Sequence, residues 1–401
     1  MIAIENGVIR DVGSAETLLP RLPPGTAIED HGGRLILPGF IDPHIHYPQT
    51  GVIASYGAQL IDWLNRFTFP AEQAFADPAI AAAGAAFFFD EVLRNGTTTA
   101  CVYCTVHPES VDAFFEESER RGTRMIAGKV MMDRNAPPGL RDDAATSFRD
   151  SERLLHKWHG RGRQLYAITP RFAVTSSEAQ LAAAGALLKA HPDAYLQTHL
   201  SENHAEIAAV RALFPDDANY TSVYARHGLL GPRTLLGHCI HLDEAEVSLL
   251  RESDAVAVFC PTSNLFLGSG LFDRGRYAGC RVRTGLATDV GGGTSYSMLR
   301  TAAEAYKILQ MQGQNFPAFD AFRTITRGNA EILGLDHRIG AIEPGFEADL
   351  VVLESGATPA MRHRRDAIGD NLQDELFLLM TLGDDRAVAA TYIAGKGAVT
   401  G

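Results

Sequence analysis

Five short segments of the chain end in side chains that can bind a metal ion or transfer a proton. They are PGFIDPHIHYPQ (38–49), ITPRF (168–172), QTHLSEN (197–203), GHCIH (237–241) and ATDVGGG (287–293). A catalytic zinc site needs imidazoles and carboxylates from separate strands, because three or four protein ligands hold the ion and one position stays open for water. The pair His44/His46 is weak by itself in a chain with 14 histidines. The prediction of a catalytic metal site therefore depends on the five segments taken together.

The composition is that of an ordinary globular protein. The chain has 401 residues, 46% of them hydrophobic and 21% charged, which is enough for one or two domains with a large core. The formal charge of −12 is spread along the chain without a basic run, which argues against a nucleic-acid partner. The sequence contains no apolar run of membrane-spanning length, and MIAIENGVIRD predicts a strand and turn rather than a signal peptide. We therefore expect a cytoplasmic protein without a membrane partner.

The cysteines indicate a reducing compartment. The five cysteines are an odd number and form no disulfide framework. Cys101 and Cys104 do form a Cys-x-x-Cys motif within TTTACVYCT, but the motif lies in a predicted strand and the chain has no second such pair. We interpret both as buried core thiols rather than as a zinc or redox site.

Short apolar runs alternate with helical segments between residues 36 and 312. The runs are nearly continuous in apolar residues, as parallel strands buried on both faces should be. Eight strands, each followed by a helix, predict an α/β fold of the (β/α)8 TIM-barrel type. The predicted strands are 36–44, 97–105, 123–132, 164–171, 194–200, 234–240, 255–261 and 281–288.

Each chemical segment falls at the C-terminal end of a predicted strand, where barrels of this type place their catalytic residues. His44 and His46 end the first strand, and Arg171 with Phe172 ends the fourth. The remaining candidates end the fifth, sixth and eighth strands; they are His199 with Glu202, His238 and Asp289.

The two ends of the chain have a different pattern, with short strands and turns. Neither end can form a core alone, so we expect residues 1–35 and 340–401 to pair into a small β-sandwich beside a catalytic barrel of residues 36–339. Residues 50–77 form a long connection after the first histidine pair. Trp63, Phe67 and Phe69 in this connection are consistent either with a lid over the site or with plain packing.

The motifs resemble those of the amidohydrolase superfamily. The resemblance rests on PGFIDPHIH, on the single histidines that end the fifth and sixth strands, and on the TD of the eighth strand. Longer stretches are similar to the guanine deaminase family within it, and they cover nearly the whole barrel. They are HIHYPQTGVIASYGAQLIDWLNRFTFPAE, GTTTACVYCTVHPESVDA, ITPRFAVTSS, THLSEN and TDVGGGTSYSML. The chain departs from the family at its start, where it lacks some of the usual N-terminal β-strand material.

The resemblance implies one Zn²⁺ per chain, held by His44, His46, His199 and Asp289. His44 and His46 alternate along a strand end, so both side chains point to one face. Superfamily members with two metal ions bridge them with a modified lysine on the fourth strand. That strand reads YAITPRF here and contains no lysine, which favours a single ion.

Catalytic roles are implied for Glu202, His238 and Asp289. Zinc would lower the pKa of a water molecule and make it a nucleophile. Glu202 would carry a proton to the ring nitrogen beside the attacked carbon and then help ammonia to leave, whereas without the resemblance it is more typical of a carboxylate at a helix start. His238 would hydrogen-bond the attacking water. Asp289 would bind zinc and accept the proton of that water, and its structural alternative is a turn or helix cap.

The resemblance assigns recognition of the substrate to Gln49, Arg171 and Phe172. The resemblance implies that Gln49 reads purine ring atoms, that Arg171 donates to the 6-oxo group and that Phe172 stacks on the ring. A planar donor fork suits an exocyclic oxygen and would repel the amino group of adenine. The zinc-site residues His46, His199 and Asp289 are also expected at the substrate, and His107 is a further candidate.

Three functions remain open from the sequence. The first is hydrolytic deamination of guanine to xanthine and ammonia, by a homodimer. The second is deamination of another aminated heterocycle, such as cytosine or a triazine. The third is a non-catalytic barrel that serves as a scaffold. ITPRF and HYPQ favour the first function over the second, and an intact ligand set with Glu202 disfavours the third.

Overall fold

The structure, a computed structural model, describes residues 1–57 and 59–400. Within these residues the chain forms fifteen β-strands. In chain order they are β1 (Ile2–Glu5), β2 (Val8–Val12), β3 (Leu35–Pro38), β4 (Phe40–His46), β5 (Thr97–Tyr103), β6 (Arg124–Gly128), β7 (Val130–Met131), β8 (Leu165–Pro170), β9 (Tyr195–Leu200), β10 (Thr234–His238), β11 (Val256–Phe259), β12 (Arg283–Leu286), β13 (Leu350–Leu353), β14 (Val388–Ile393) and β15 (Lys396–Thr400).

The α-helices of the same residues lie mainly between the strands. They are α1 (Ala15–Leu18), α2 (Leu60–Trp63), α3 (Phe69–Gln73), α4 (Pro78–Arg94), α5 (Pro108–Arg121), α6 (Ala144–Trp158), α7 (Glu178–Ala190), α8 (His204–Leu213), α9 (Tyr220–Arg226), α10 (Glu244–Ser253), α11 (Pro261–Phe266), α12 (Arg274–Gly279), α13 (Met298–Met311), α14 (Ala318–Arg323), α15 (Asn329–Ile332), α16 (Pro359–Ile368) and α17 (Leu372–Leu382). None of the helices in the described chain is long and apolar enough to cross a bilayer.

The central sheet confirms the predicted (β/α)8 barrel. Its parallel strands follow the order β4-β5-β6-β8-β9-β10-β11-β12, with β7 pairing alongside β8. The barrel closes at its C-terminal end, where Asp289 N donates to His44 O at 2.9 Å and His46 N donates to Val290 O at 2.7 Å. These bonds bring the end of the first barrel strand against the segment that follows the last one.

The predicted first strand, 36–44, is wrong as a single element. The chain forms β3 up to Pro38 and begins the barrel strand β4 at Phe40. β3 pairs antiparallel with β13, whereas β4 pairs parallel with β5. Gly39 joins the two strands in a place where a Cβ atom would lie 2.2 Å from Thr98 Oγ1, so a larger residue does not fit there. The apolar residues continue across this boundary, so the sequence pattern does not show that the chain passes from one sheet to another.

The chain ends form two antiparallel sheets, β1-β2 and β3-β13-β14-β15, as the sequence predicts. Ile9 of the first sheet packs against Leu350, Val352 and Tyr392 of the second in one apolar cluster. Helices α16 and α17 were not predicted in this part of the chain. α17 contacts the barrel helices α13 and α14. The division into a small domain of 1–35 plus 340–401 and a barrel of 36–339 stays a prediction.

An ion-pair cluster connects the small sheets to the N-terminal end of the barrel. Arg163, immediately before β8, donates to Glu347 and to Asp349. Arg124 of β6 donates to Glu347 through Nε at 2.8 Å. Asp349 is 5% exposed, so these charges lie in a poorly solvated place and depend on one another.

The connection 50–77 is ordered by short helices across the C-terminal end of the barrel. α2 continues through a π-helical turn, Leu64–Thr68, into α3. Trp63 and Phe69 are buried, and Phe67 is half-buried. Trp63 packs in the core, which confirms the packing role, and it also lines the cavity. The role of a lid stays a prediction.

Candidate active site

Three barrel strands and the loop after a fourth bring four histidines and one aspartate together. Asp289 Oδ1 lies 3.4 Å from His44 Nε2 and 3.3 Å from His46 Nε2. His46 Nε2 is 3.3 Å from His199 Nε2. The donor atoms of His44, His199, His238 and Asp289 all lie within 4.8 Å of one another, which is the spacing of groups that can hold one metal ion.

The donor set fits a zinc ion. Both ring nitrogens of His44 are buried and have no hydrogen-bond partner among the described residues, an unfavourable state unless another group binds there. Burial lowers the pKa of His44, and it lowers that of His46 to about 3. Both rings are therefore neutral, which is the form that binds metal. Gly237 leaves room for the first ring, since a Cβ atom there would lie 2.5 Å from His44 Cε1.

His199 is held in one tautomer by the chain around it. Its Nδ1 donates to the carbonyl oxygen of Arg171 at 2.8 Å, and its backbone N donates to the same oxygen at 3.1 Å. The hydrogen on Nδ1 leaves Nε2 as the free lone pair, and Nε2 faces His46. A protein carbonyl that fixes the second ring nitrogen is typical of metal-binding histidines.

A buried aspartate supports the metal-site strands from below. Asp42 Oδ1 accepts from Thr288 N at 3.2 Å and from His44 N at 3.3 Å, and Thr288 Oγ1 donates to Asp42 Oδ2. Burial raises the pKa of Asp42 to about 7, against the effect of these bonds. The bonds fix the first and last barrel strands relative to each other, directly beside His44 and Asp289.

Glu202 and His238 form a second polar group beside the cluster. Glu202 Oε1 accepts from Ser269 Oγ at 2.8 Å, and Glu202 Oε2 lies 3.4 Å from His238 Nε2. His238 Nδ1 donates to Asn264 Oδ1 at 2.9 Å, which fixes the ring. Burial raises the pKa of Glu202. Burial also opposes the charged form of His238, but the nearby carboxylates of Glu202 and Asp289 outweigh it and raise the pKa of His238.

Three residues at the site have a left-handed backbone conformation. His238 has φ 72°, Asp289 has φ 53°, and Ser201, just before Glu202, has φ 50°. Residues other than glycine rarely adopt this left-handed region, and the conformation persists only where the surrounding structure enforces it. The strand ends are therefore bent specifically at the positions that orient the polar side chains.

An open cavity of about 390 Å³ lies above the cluster. One part of its lining is polar and contains Glu202, His238 and Asp289, while Gln49, Arg171 and Phe172 line another part. The apolar part of the lining is formed by Leu60, Trp63, Leu64 and Leu267.

A buried carboxylate contacts two of the predicted substrate residues. Arg171 Nη1 lies 2.9 Å from Glu72 Oε1 and 2.8 Å from Glu72 Oε2. Gln49 Nε2 donates to Glu72 Oε1 at 3.0 Å, and Gln49 Oε1 accepts from Gly291 N at 3.2 Å. Glu72 is fully buried, so it forms part of the interior of the site.

The structure brings together the residues predicted for the site with the exception of His107, and it leaves the other histidines outside the cluster. His204 is exposed and packs against the half-buried His241, with ring centroids 4.0 Å apart and the ring planes tilted by 33°. His107 does not line the cavity. The analysis of the sequence assigned no role to Glu72, Asn264 or Ser269. For Asn264, its position just after the predicted seventh strand was a usable signal. Ser269 lies in a loop without such a signal.

Cys101 and Cys104 are buried free thiols, as predicted. Cys101 Sγ donates to Gln197 Oε1 at 3.1 Å, and burial raises the pKa of both thiols. Neither thiol lines the cavity, so they are part of the barrel core.

Comparison with known proteins identifies the family of this chain. Residues 35–397 match the model of the amidohydrolase family. Guanine deaminase of Escherichia coli (strain K12) is 48% identical over 396 residues, which cover 99% of this chain and 90% of the relative. The solved structure of the E. coli guanine deaminase superposes with a TM-score of 0.98 and covers 100% of this chain and 92% of its own.

Two further solved structures contain ligands. A guanine deaminase from C. acetobutylicum with guanine bound in its active site is 29% identical, with a TM-score of 0.88 over 99% of this chain and 94% of its own. An adenosine deaminase from Xanthomonas campestris with bound zinc is 25% identical, with a TM-score of 0.86 over 100% of this chain and 88% of its own. On the match across nearly its whole length, this chain belongs to the amidohydrolase family.

Proposed function

We propose that this chain catalyses the hydrolytic deamination of guanine to xanthine and ammonia. The observation that carries the proposal is the position of Glu202, which lies between the histidine and aspartate cluster and a cavity that also presents Arg171 and Gln49. This combination provides for hydrolysis and for reading a planar, oxygen-bearing heterocycle in one place. The similarity over the full chain to guanine deaminases supports the same substrate.

One zinc ion per chain would be held by His44, His46, His199 and Asp289. The neutral imidazoles support this ligand set. The pKa of Asp289 supports it as well: burial opposes its charged form, but the close contacts with His44 and His46 outweigh burial and lower the pKa. When bound, zinc supplies Lewis-acid chemistry that makes water a competent nucleophile at neutral pH. His238 lies within 3.7 Å of Asp289 and is assigned to orient the attacking water rather than to bind the ion.

Guanine would form hydrogen bonds at the edge of its ring and pack against an aromatic side chain with its face. Arg171 donates to the 6-oxo group, Gln49 hydrogen-bonds ring atoms and Phe172 contacts the ring plane. Phe172 is buried and lies with its ring centroid 6.4 Å from that of His199, so the aromatic surface is rigid and next to the reacting position. His46 and His199 border the bound base, because both line the cavity.

Glu202 would move the protons. Water adds to C2 of guanine, a proton goes to the adjacent ring nitrogen, and the C2–N bond breaks to release ammonia. Asp289 takes one proton of the attacking water, and Glu202 gives its own proton to the ring nitrogen. Glu202 then takes the proton of the new C2 hydroxyl group and passes it to the leaving amino group. The proton held by Asp289 finally returns to Glu202. A carboxyl group with a pKa raised by burial can carry such a proton, and Ser269 holds it in place at 2.8 Å.

The test is direct identification of the products. Zinc-loaded protein is incubated with guanine, adenine, cytosine and an aminotriazine, and ammonia and the resulting base are quantified. The proposal predicts xanthine and ammonia in equal amounts from guanine, and their loss in Glu202→Gln. Ammonia release from cytosine or the triazine with guanine untouched would assign the chain to another substrate.

We also propose that the protein is a cytoplasmic homodimer. The five free cysteines support a reducing compartment. Exposed apolar side chains such as Met311 (84% exposed) and Tyr56 (78% exposed) offer surface that a second subunit could cover. Sedimentation of the zinc-loaded protein distinguishes a dimer from a monomer.

A further inference from the structure

We propose that Glu72 is a positioning residue that sets the specificity of the site, because it fixes the hydrogen-bonding directions of both Arg171 and Gln49. The inference rests on the proposed guanine deamination and deepens it. Glu72 does not line the cavity, so it acts through the two side chains that do.

The geometry at Arg171 leaves one side of the guanidinium free for the ligand. Both oxygens of Glu72 contact the same nitrogen, Nη1. Nη2 and Nε have no acceptor within residues 1–57 and 59–400, although Arg171 is only 2% exposed and lines the cavity. A buried cation that lines a cavity and keeps unused donors can receive an acceptor from a ligand.

Helix α3 supports Arg171 with two side chains one helical turn apart. Residues at i and i+3 lie on the same face of a helix. Phe69 places its ring 5.6 Å below the guanidinium carbon, and Glu72 supplies the carboxylate. The plane of the guanidinium is therefore fixed by the Phe69 ring below it and by the Glu72 carboxylate at one edge. Both residues belong to the segment 50–77, so this segment orients Arg171.

The same carboxylate decides which way the Gln49 amide points. Glu72 Oε1 can only accept from Gln49 Nε2, and Gly291 N can only donate to Gln49 Oε1. A flipped amide would place two oxygens together and two donors together. Glu72 thus sets both residues that read the purine, and its charge balances that of Arg171, which suits a neutral base better than an anion.

The experiment measures how well the site reads a 6-oxo group without requiring turnover. Binding of hypoxanthine and of purine to the zinc-loaded protein is measured by calorimetry, because neither base carries the 2-amino group and only hypoxanthine has the 6-oxygen. We expect wild-type protein to prefer hypoxanthine by at least about a hundredfold, and Glu72→Gln to reduce that preference at least about tenfold.

Matched variants distinguish a loss of side-chain orientation at Arg171 and Gln49 from a general loss of structure. Glu246→Gln removes another buried carboxylate, one that accepts from Thr221 N at 3.1 Å, and should keep the wild-type preference. Arg171→Met should lose the preference, and adding Glu72→Gln to it should change the preference no further. If Glu72→Gln does not fold, Glu72→Asp serves instead. Its shorter side chain cannot hold both partners, so its preference should fall as well.

The outcomes distinguish this inference from the proposed function. Wild-type protein that releases no ammonia from guanine refutes the proposed function. Wild-type protein that deaminates guanine, together with a folded Glu72 variant that keeps the full preference for hypoxanthine, refutes the positioning role alone. Equal weakening of both bases also refutes it, because that is the result of a merely structural carboxylate.

Discussion

His44 Nε2 lies 3.4 Å from Asp289 Oδ1, and this contact joins the first strand of the barrel to the loop after the last one. The backbones of the same two residues are also joined, because Asp289 N donates to His44 O at 2.9 Å. The contacts that close the barrel therefore also hold two members of the histidine and aspartate cluster next to each other.

We predict one tightly bound zinc ion per chain. Elemental analysis of dialysed, metal-replete protein should find a single equivalent, and His199→Ala should lower the zinc content strongly because it removes a ligand whose tautomer is fixed for binding. His204→Ala is the matched control, since His204 is exposed and lies outside the cluster. Two tight equivalents in the wild-type protein would contradict the single-ion site.

We predict that Glu202→Gln keeps zinc and loses activity by at least about a hundredfold, the usual scale for general acid–base catalysis. Glutamine has nearly the same shape and can still accept from Ser269, but it cannot carry a proton. Steady-state kinetics with zinc content measured on the same samples tests this. Near-normal turnover would reduce the role of Glu202 to a structural one at the start of α8.

We predict that Arg171→Ala lowers kcat/KM for guanine by at least about a hundredfold, because the 6-oxo group loses its charged donor and Glu72 loses its counter-ion. Zinc should stay bound, since the ligand His199 contacts only the backbone carbonyl of Arg171. Kinetics and metal analysis of the same preparation check both statements. Loss of zinc together with activity would show that the arginine supports the metal site instead.

We predict that Arg163→Met destabilises the fold by about 3 kcal/mol, because Asp349 and Glu347 lose a partner in a poorly solvated place. Urea unfolding at pH 7 measures the change. Lys307→Met is the control: Lys307 pairs with Glu304 on the surface, with 63% of its side chain exposed, and its loss should barely alter stability. An equal loss of stability in the two variants would contradict the proposal that the Arg163 cluster connects the small sheets to the barrel.

The contribution of this cluster should depend on pH. Burial opposes ionisation of Glu347, but Arg124 and Arg163 outweigh burial and lower the pKa of Glu347 below 4.5. A carboxylate with a lowered pKa stabilises the fold above its unfolded-state pKa, and this stabilisation disappears as pH falls through the folded-state value. The difference in stability between wild type and Arg163→Met should therefore be constant near neutrality and shrink below about pH 4.5. A difference that grows on acidification would contradict this assignment.

The barrel was predictable because its signals are local and repeat along the chain. Apolar strands alternate with helices, and α4 follows the N-cap Asp77, has Pro78 at its first position and ends before Gly96, which are all local features of the sequence. Helix α16 was not recognisable because it is polar and buries only Met361. α17 is stabilised by barrel helices that are distant in sequence.

The proximity of the histidines and Asp289 was predictable for a related reason, since strand order places the ends of parallel strands at one edge. Glu72 was not predictable in this way. Its role depends on a contact between α3 and the end of β8, and no periodicity in either segment encodes that contact. Asn264 and Ser269 likewise meet His238 and Glu202 only in the folded barrel.

The most direct measurement of the central claim is the ratio of kcat/KM for guanine to that for adenine and for cytosine, in one ammonia-release assay with zinc-loaded protein. A site whose buried arginine needs a 6-oxo group leaves that arginine unpaired when adenine binds, and such mismatches reduce kcat/KM by several powers of ten. We predict xanthine as the product and a preference for guanine of at least about a thousandfold. A preference for adenine or cytosine would contradict the assignment of guanine as the substrate.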